Sequence, residues 1–334
     1  MATSKENLYK GEFELWRTLM SLIFKLISGL FLLLAIFVVV LFIVFRVPDR
    51  PLAELVEKWA PPPSQFVDVA GMQIHLRDEG PRDDATPIVL LHGTSASLHT
   101  WDGWTESLIE ERRVIRFDMA GFGLTGPSAD NDYSIEHYAS TVIAVLDHLN
   151  VDQVVLAGNS LGGNIAWVTA LLYPQRIDAL ILVDSSGLPF EAKSVPIGFK
   201  IASTPILNKL AEQILPRNLV ESSVKNVFGD PNLVTTELVD RYFDLTTRAG
   251  SRQALAERAR QTKLTLTDRI TELTLPTLIL WGGLDGLIPL DIGHQFQNKL
   301  SNSQLVVFDN LGHVPQEEGP EETVSEVKRF LRLL

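Results

Sequence analysis

The chain has 334 residues and a formal net charge of −12, from 29 Lys and Arg against 41 Asp and Glu. This acidity disfavours any function that requires binding to the phosphate backbone of a nucleic acid. The absence of cysteine excludes a disulfide scaffold, thiolate metal sites and a cysteine nucleophile. A hydrophobic content of 46% with 21% charged residues excludes a largely disordered chain.

The first element in chain order is an apolar run of 20 residues without a charge, at positions 26–45. A helix of this length reaches about 30 Å, the thickness of the hydrocarbon core of a bilayer. A buried core helix and a cleaved signal peptide are the alternatives, but no small-residue cleavage site follows the run. We therefore predict an N-terminal tail over residues 1–18, a single transmembrane anchor over 19–45 and a linker over 46–64.

The orientation of this anchor is only partly encoded, because the basic residues on its two sides nearly balance. The short, basic N-terminus favours a cytoplasmic location for itself, which would place the body of the protein outside the cytoplasm. The linker contains a short amphipathic stretch and ends in Pro61-Pro62-Pro63. Such a stiff, extended spacer indicates a domain boundary.

Short apolar segments recur from residue 65 onwards. The first two flank Gly71-Met72 and are typical of an antiparallel hairpin. The later ones are continuously apolar, as in parallel strands covered on both faces, and amphipathic stretches separate most of them. This order predicts an α/β fold with a mostly parallel central sheet flanked by helices. The predicted strands lie at 66–70, 73–77, 87–93, 113–121, 153–159, 179–187, 276–283 and 304–310.

The alternation of strands and helices stops between Gly187 and about Thr271, where prolines interrupt a series of helical stretches. An insert of this length is too long for a loop. We predict a helical cap at about residues 188–270, inserted into a core that spans 65–334. The two domains suggested by the chain length thus become an anchor, one core domain and an inserted cap.

The strand at 153–159 leads through G-x-S-x-G into a helical segment, with Ser160 at the centre of the motif. In this context the motif forms a sharp turn that exposes the serine, and the glycines remove side chains that would collide there. Free amides and the dipole at the helix N-terminus favour a developing oxyanion. Ser160 is therefore the candidate nucleophile, with a non-catalytic glycine-rich connection as the alternative.

A serine hydroxyl needs a base to become a strong nucleophile. Of the seven histidines, His313 follows the last strand, at the carboxyl edge of the sheet where ligands bind in such folds. The imidazole needs a carboxylate partner, and Asp285 follows the preceding strand. Asp184, which also ends a strand, and Asp309 are the alternative acids.

An oxyanion hole requires backbone amides aimed at the reacting carbonyl. One is expected from Leu161, the residue after the nucleophile, and we assign the other to Thr94, in the turn after the strand at 87–91. His92, at the start of this turn, is interpreted as a structural residue.

These motifs together resemble the α/β-hydrolase superfamily over residues 65–334. The chain order Ser160, Asp285, His313 is the one used by triads of this family. With its N-terminal anchor the chain is similar to membrane-bound esterases and monoacylglycerol-lipase-like enzymes. The matching segments are LLHGTSASLHTW (90–101), RFDMAGFGLTGP (116–127), AGNSLGGNIAW (157–167), LILWGGLDGLIP (278–289) and DNLGHVPQEEGP (309–320).

The resemblance implies a carboxylic-ester hydrolase with a Ser-His-Asp triad and an acyl-enzyme intermediate, acting on small-molecule or lipid esters without a metal or organic cofactor. Ser160 argues against the dehalogenases and epoxide hydrolases of this fold, which place an aspartate at that position. Two alternatives stay open: a carbon–carbon bond hydrolase of ring-fission products with the same triad, and a non-catalytic binding protein that retains the fold. The sequence specifies neither the acyl-chain length nor the oligomeric state.

Overall fold

The computed structural model describes residues 2–204, 207, 209, 213–261 and 263–334. The chain divides into two compact units, Met1–Arg46 and Val47–Leu334. The first unit is a single helix, α1 (Ala2–Phe45), which continues through the segment that the sequence predicted as a separate tail. Its segment Phe13–Phe45 is long and apolar enough to cross a membrane.

The second unit is built on one eight-stranded sheet with the order β1-β2-β4-β3-β5-β6-β7-β8. The pairs β1–β2 and β2–β4 are antiparallel, and the remaining pairs are parallel. The predicted fold class, a mostly parallel sheet flanked by helices, is confirmed. The strands are β1 (Gln65–Val69), β2 (Met72–Glu79), β3 (Ile88–Leu91), β4 (Val114–Phe117), β5 (Val154–Asn159), β6 (Ile177–Val183), β7 (Thr277–Gly282) and β8 (Ser303–Phe308).

Both faces of the sheet are covered, which explains why the strand sequences lack polar alternation. In β3, Val89 and Leu91 belong to the core on one face, and Ile88 and Leu90 to the core on the other. Three helices cover the first face, and two cover the second together with two short helical segments. The first three are α4 (Ile135–His148), α5 (Leu161–Leu172) and α10 (Leu290–Lys299), and the other elements are Leu98–Trp101, α3 (Asp102–Leu108), α11 (Pro315–Glu318) and α12 (Pro320–Leu331).

Helices fill the insert that was predicted between β6 and β7. Short 3-10 helices at Pro231–Leu233 and Thr267–Glu272 accompany them. Residues 205, 206, 208, 210–212 and 262 of the predicted cap lie outside the described residues. The described α-helices of the cap are α6 (Ile197–Ala202), α7 (Arg217–Val227), α8 (Thr236–Thr246) and α9 (Ser251–Gln261).

The segment predicted as a spacer is instead docked within the second unit. Its residues form a short helix, α2 (Leu52–Trp59). The carboxylate of Asp244, in the cap helix α8, accepts hydrogen bonds from Arg50 at 2.5 Å, Lys58 at 3.0 Å and the indole of Trp59 at 3.0 Å. This buried carboxylate therefore helps to hold the segment against the cap, together with the ion pair between Asp49 and Arg252 of α9.

Replacing Asp244 tests this connection. We expect Asp244→Ala to lower the stability of the second unit by about 1–3 kcal/mol, because it leaves two cations and an indole N–H without their acceptor. The measurement is the thermal unfolding midpoint of the full chain in detergent. Asp240→Ala is the matched control, since Asp240 lies on the same helix with a more exposed side chain. Equal shifts for the two variants would contradict the prediction.

Candidate active site

Ser160 lies in the turn between β5 and α5, with φ 54° and ψ −113°. A positive φ is strained for any residue with a side chain, and such strain is characteristic of functional turns. The glycines of the motif permit the turn because its backbone packs very closely. A Cβ on Gly158 would lie 2.2 Å from the carbonyl carbon of Gly162, and a Cβ on Gly162 would lie 2.2 Å from the carbonyl oxygen of Leu91.

The predicted imidazole–carboxylate pair is formed in the structure. The Nδ1 atom of His313 lies 2.7 Å from Oδ2 of Asp285, and both side chains are buried. The other carboxylate oxygen accepts hydrogen bonds from the amides of Leu287 and Ile288, at 2.7 and 2.9 Å. Because an ionised carboxylate accepts only, Nδ1 carries the proton and Nε2 of His313 is left as the basic nitrogen.

Ser160 and His313 line the same cavity, which has a volume of about 350 Å³. Among the residues that the structure describes, the serine hydroxyl makes no hydrogen bond to the imidazole. In free enzymes such bonds are often long and tighten when substrate binds. The structure thus brings the predicted nucleophile and base to one cavity wall without joining them by a hydrogen bond.

The two predicted oxyanion donors lie beside the serine. Thr94 follows β3, and Leu161 is the first residue of α5. In the described part of the chain neither amide has a hydrogen-bond partner, so both are available to an oxyanion. His92 holds the turn before Thr94, since its Nδ1 donates to the carbonyl of Gly93 at 2.8 Å and its Nε2 accepts from the amide of Met119 at 3.0 Å. Burial lowers the pKa of His92, which favours this neutral form.

The alternative acids have different surroundings. Asp309 is exposed, whereas Asp184 is fully buried and accepts a hydrogen bond from the amide of Gly282 at 3.0 Å. Burial, together with the charge of the neighbouring Asp285, raises the pKa of Asp184 well above its usual range. Asp184 therefore holds its proton more tightly than an ordinary carboxyl group, beside the carboxylate that contacts the imidazole.

Asp184, Asp285 and His313 form a group that could hold a cation. One ligand atom from each of these side chains lies within 4.8 Å of the others. The 2.7 Å separation between Nδ1 and Oδ2 is the length of a charge-assisted hydrogen bond, and a proton therefore accounts for this contact.

Two positioning residues were not identified in the sequence. The Nδ2 group of Asn159 donates to the carbonyls of Val183 and His313, at 3.2 and 2.9 Å. Asn159 lies inside the G-x-S-x-G motif, and this position in the sequence could have identified it. The carboxylate of Glu318 fixes the loop of the histidine to the cap, although no motif distinguishes it from the adjacent Glu317. It accepts from the amides of Gly312 at 2.7 Å, Gly229 at 3.0 Å and Asp230 at 2.7 Å.

The strand order, and a site at the carboxyl edge of the sheet beneath an inserted cap, define a hydrolase of the α/β class. The family described as "alpha/beta hydrolase fold" matches residues 86–320, and the chain belongs to this family.

Similar proteins include enzymes of more than one type. A 2-hydroxymuconate semialdehyde hydrolase of Pseudomonas putida is 31% identical over 273 residues, which cover 78% of this chain and 92% of that protein. A meta-cleavage product hydrolase from Pseudomonas fluorescens has a TM-score of 0.69 and 26% identity, covering 80% of this chain and 97% of its own. A membrane phospholipase A has a TM-score of 0.71 and 25% identity, covering 92% and 98%. The last match extends beyond residues 47–334 into the N-terminal helix.

The raised pKa of Asp184 gives a pH-dependent prediction. An acid with a raised folded-state pKa is stabilising below the unfolded-state value near about 4, and this stability is lost as the pH rises towards the folded-state value. Asp184→Asn lacks this loss. We therefore expect the unfolding midpoint of Asp184→Asn, relative to that of the unsubstituted protein, to increase between about pH 5 and pH 8, because the unsubstituted protein loses up to about 1.4 kcal/mol of unfolding free energy per pH unit. Thermal scans across this range measure it.

Asp309→Asn is the control for this comparison, since that carboxyl is exposed. We expect no such trend with pH for the control. A difference between Asp184→Asn and the unsubstituted protein that stays constant from pH 5 to pH 8 would contradict a raised pKa for Asp184.

Proposed function

We propose that the protein is a carboxylic-ester hydrolase with Ser160 as nucleophile, His313 as general base and Asp285 as the orienting carboxylate. The observation that carries this proposal is a shared cavity. It is lined both by the strained serine and by an imidazole whose Nδ1 is held at 2.7 Å by a buried carboxylate. An imidazole that is oriented by a carboxylate at Nδ1 can accept the proton of a serine hydroxyl at Nε2.

The mechanism follows from these positions. Nε2 of His313 removes the proton of Ser160 as the hydroxyl oxygen attacks the ester carbonyl, and the amides of Thr94 and Leu161 stabilise the oxyanion. Each such donor contributes about 3–4 kcal/mol to the stability of a transition state of this kind. The imidazolium then protonates the leaving alcohol, and a water molecule releases the acyl group by the same steps in reverse order. This chemistry requires no metal ion or organic cofactor.

The lining of the cavity favours lipophilic esters. Apolar cap side chains form most of the wall opposite the serine, among them Phe199, Leu207, Leu215 and Val220. An acyl chain bound there would exchange water for apolar contacts, at about 25 cal/mol per Å² of buried surface. The likeness to a membrane phospholipase A supports the same class of substrate. We also propose that α1 is a single-pass membrane anchor that keeps the hydrolase at a lipid surface.

A carbon–carbon bond hydrolase is the second candidate. It is supported by the relatives named for ring-fission products, and by the Asn159-Ser160 pair in the elbow. Steady-state kinetics with p-nitrophenyl esters of increasing chain length and with a ring-fission dienoate would separate the two candidates. We expect ester hydrolysis to dominate and to rise with chain length. A higher kcat/KM for the dienoate would select the second candidate.

Replacing the serine tests whether the fold is catalytic at all. We expect Ser160→Ala to abolish labelling by a fluorophosphonate probe and to lower kcat for esters by about 10⁴-fold or more, because it removes the proposed nucleophile. Ser223→Ala is the matched control, because Ser223 lines the same cavity and its hydroxyl donates to the carbonyl of Leu219. The control should label like the unsubstituted protein. Labelling that persists in Ser160→Ala would overturn the assignment of the nucleophile.

Removing the anchor tests delivery of substrate from the membrane. A chain without residues 1–45 should hydrolyse a short, water-soluble ester at the rate of the full chain, since the site lies entirely in the second unit. Hydrolysis of a long-chain ester embedded in vesicles should fall, because the shortened enzyme is no longer concentrated at the bilayer that holds the substrate. The soluble ester reports correct folding of the shortened chain. Equal losses on both substrates would contradict delivery by the anchor.

A further inference from the structure

A second cavity meets the apolar cavity at the serine. It has a volume of about 660 Å³. Four residues line both cavities: Thr94, Ser160, Phe199 and Leu287. A substrate whose reacting carbonyl lies at Ser160 can therefore extend in two directions, with one part in each cavity.

Basic side chains distinguish the second cavity. Arg258 and Arg260 in α9, and Lys263 just after it, contribute to its wall. The lining residues that the structure describes include one carboxylate, Glu136. Arg260 also forms an ion pair with Glu257, and its side chain remains exposed, as does that of Lys263. In a chain with a net charge of −12, three cations on one cavity wall are a local departure from the overall negative charge.

Arg258 lies deepest in this group and closest to the reacting centre. Its Nη2 group donates to Oγ1 of Thr94 at 3.1 Å. Burial lowers the pKa of this guanidinium, which shows that its charge has lost favourable solvation. A bound anion would interact strongly with this guanidinium, because charge-assisted hydrogen bonds to arginine are stronger than those between neutral groups.

We propose that the second cavity binds a phosphate group of the substrate, so that the natural ester is a lipid with its acyl chain in the apolar cavity and an anionic headgroup beside Arg258. This inference rests on the proposed ester hydrolase function and names the substrate class of that site. A phosphate fits better than a carboxylate because several cations converge on the cavity, and a phosphate offers more acceptor oxygens to share among them.

The reaction on such a lipid is an ordinary ester hydrolysis. The Ser160 oxygen forms a bond to the acyl carbon, and the bond from that carbon to the glycerol oxygen breaks. The proton taken from the serine passes through His313 to the departing alcohol, which keeps its phosphate. Water then cleaves the acyl-enzyme and leaves a free fatty acid. The phosphate takes no part in bond making, and its binding orients the ester.

The experiment compares two esters that differ only in headgroup charge. A monoacylglycerol and the monoacylglycerol 3-phosphate with the same acyl chain are presented to the full chain in micelles of an uncharged detergent. We expect the unsubstituted protein to prefer the phosphate ester in kcat/KM. Arg258→Gln should reduce this preference by roughly 10- to 100-fold, the usual effect of losing a charge-assisted hydrogen bond. Arg260→Gln and Lys263→Gln should reduce it by smaller factors, since these side chains are exposed.

The ratio of the kcat/KM values for the two esters distinguishes headgroup binding from an effect of Arg258 on the position of Thr94. Arg258 also holds Thr94, and a variant that only disturbed the oxyanion hole would slow both esters equally. Arg332→Gln is the control for loss of one positive charge, because Arg332 is exposed and does not line either cavity. Its preference should match that of the unsubstituted protein.

Three results would overturn the proposal. The first is an equal kcat/KM for the two esters, and the second is an unchanged ratio of their kcat/KM values in Arg258→Gln. The third is a loss of kcat/KM in Arg258→Gln for a ring-fission dienoate but for neither ester, which would assign the cavity to a carboxylate substrate. Competitive inhibition by free glycerol 3-phosphate that is lost in Arg258→Gln would support a headgroup site. If the monoacylglycerol is hydrolysed without any charge preference, this inference fails and the ester hydrolase stands. If neither ester is hydrolysed, the proposed function itself fails.

Discussion

The relative position of the serine and the imidazole depends on one buried side-chain amide, that of Asn159. It donates to the carbonyl oxygens of Val183 and His313, and so joins the end of β5 to the end of β6 and to the loop after β8. Since the amide is almost completely buried, an unsatisfied donor there would cost about 1–3 kcal/mol. The residue that precedes Ser160 therefore also holds the backbone of His313.

The binding space consists of two cavities, which lie where the carboxyl edge of the sheet meets the cap. Apolar side chains of the cap form one wall, and the end of α9 supplies the cations of the other cavity. Relatives of this chain with different named activities share its fold, so the fold alone does not determine the substrate. We propose that the cap determines substrate choice, since α9 places Arg258 against Thr94 of the core.

The sequence predicted what local patterns encode. Continuous apolar runs identified strands covered on both faces, and this fold class is confirmed. The order of Ser160, Asp285 and His313 led to side chains that the structure gathers at one edge. The docking of α2 was not predictable, because Lys58 and Asp244 are 186 positions apart and no pattern links them. Glu318 was missed for the same reason, since its partners belong to the cap and to the histidine loop.

A second Ser–His–Asp arrangement shows that side-chain distances alone do not define such a site. Nδ1 of His75 lies 2.7 Å from Asp118, and its Nε2 lies 2.9 Å from the hydroxyl of Ser64. Although burial opposes it, the neighbouring imidazoles hold the pKa of Asp118 well below its usual range. Yet His75 is completely buried, and Arg77 donates to the Ser64 oxygen at 2.9 Å, which makes that oxygen a weaker nucleophile. Ser160 differs because it lines a cavity together with His313 and lies beside the amides of Thr94 and Leu161, which have no hydrogen-bond partner in the described part of the chain.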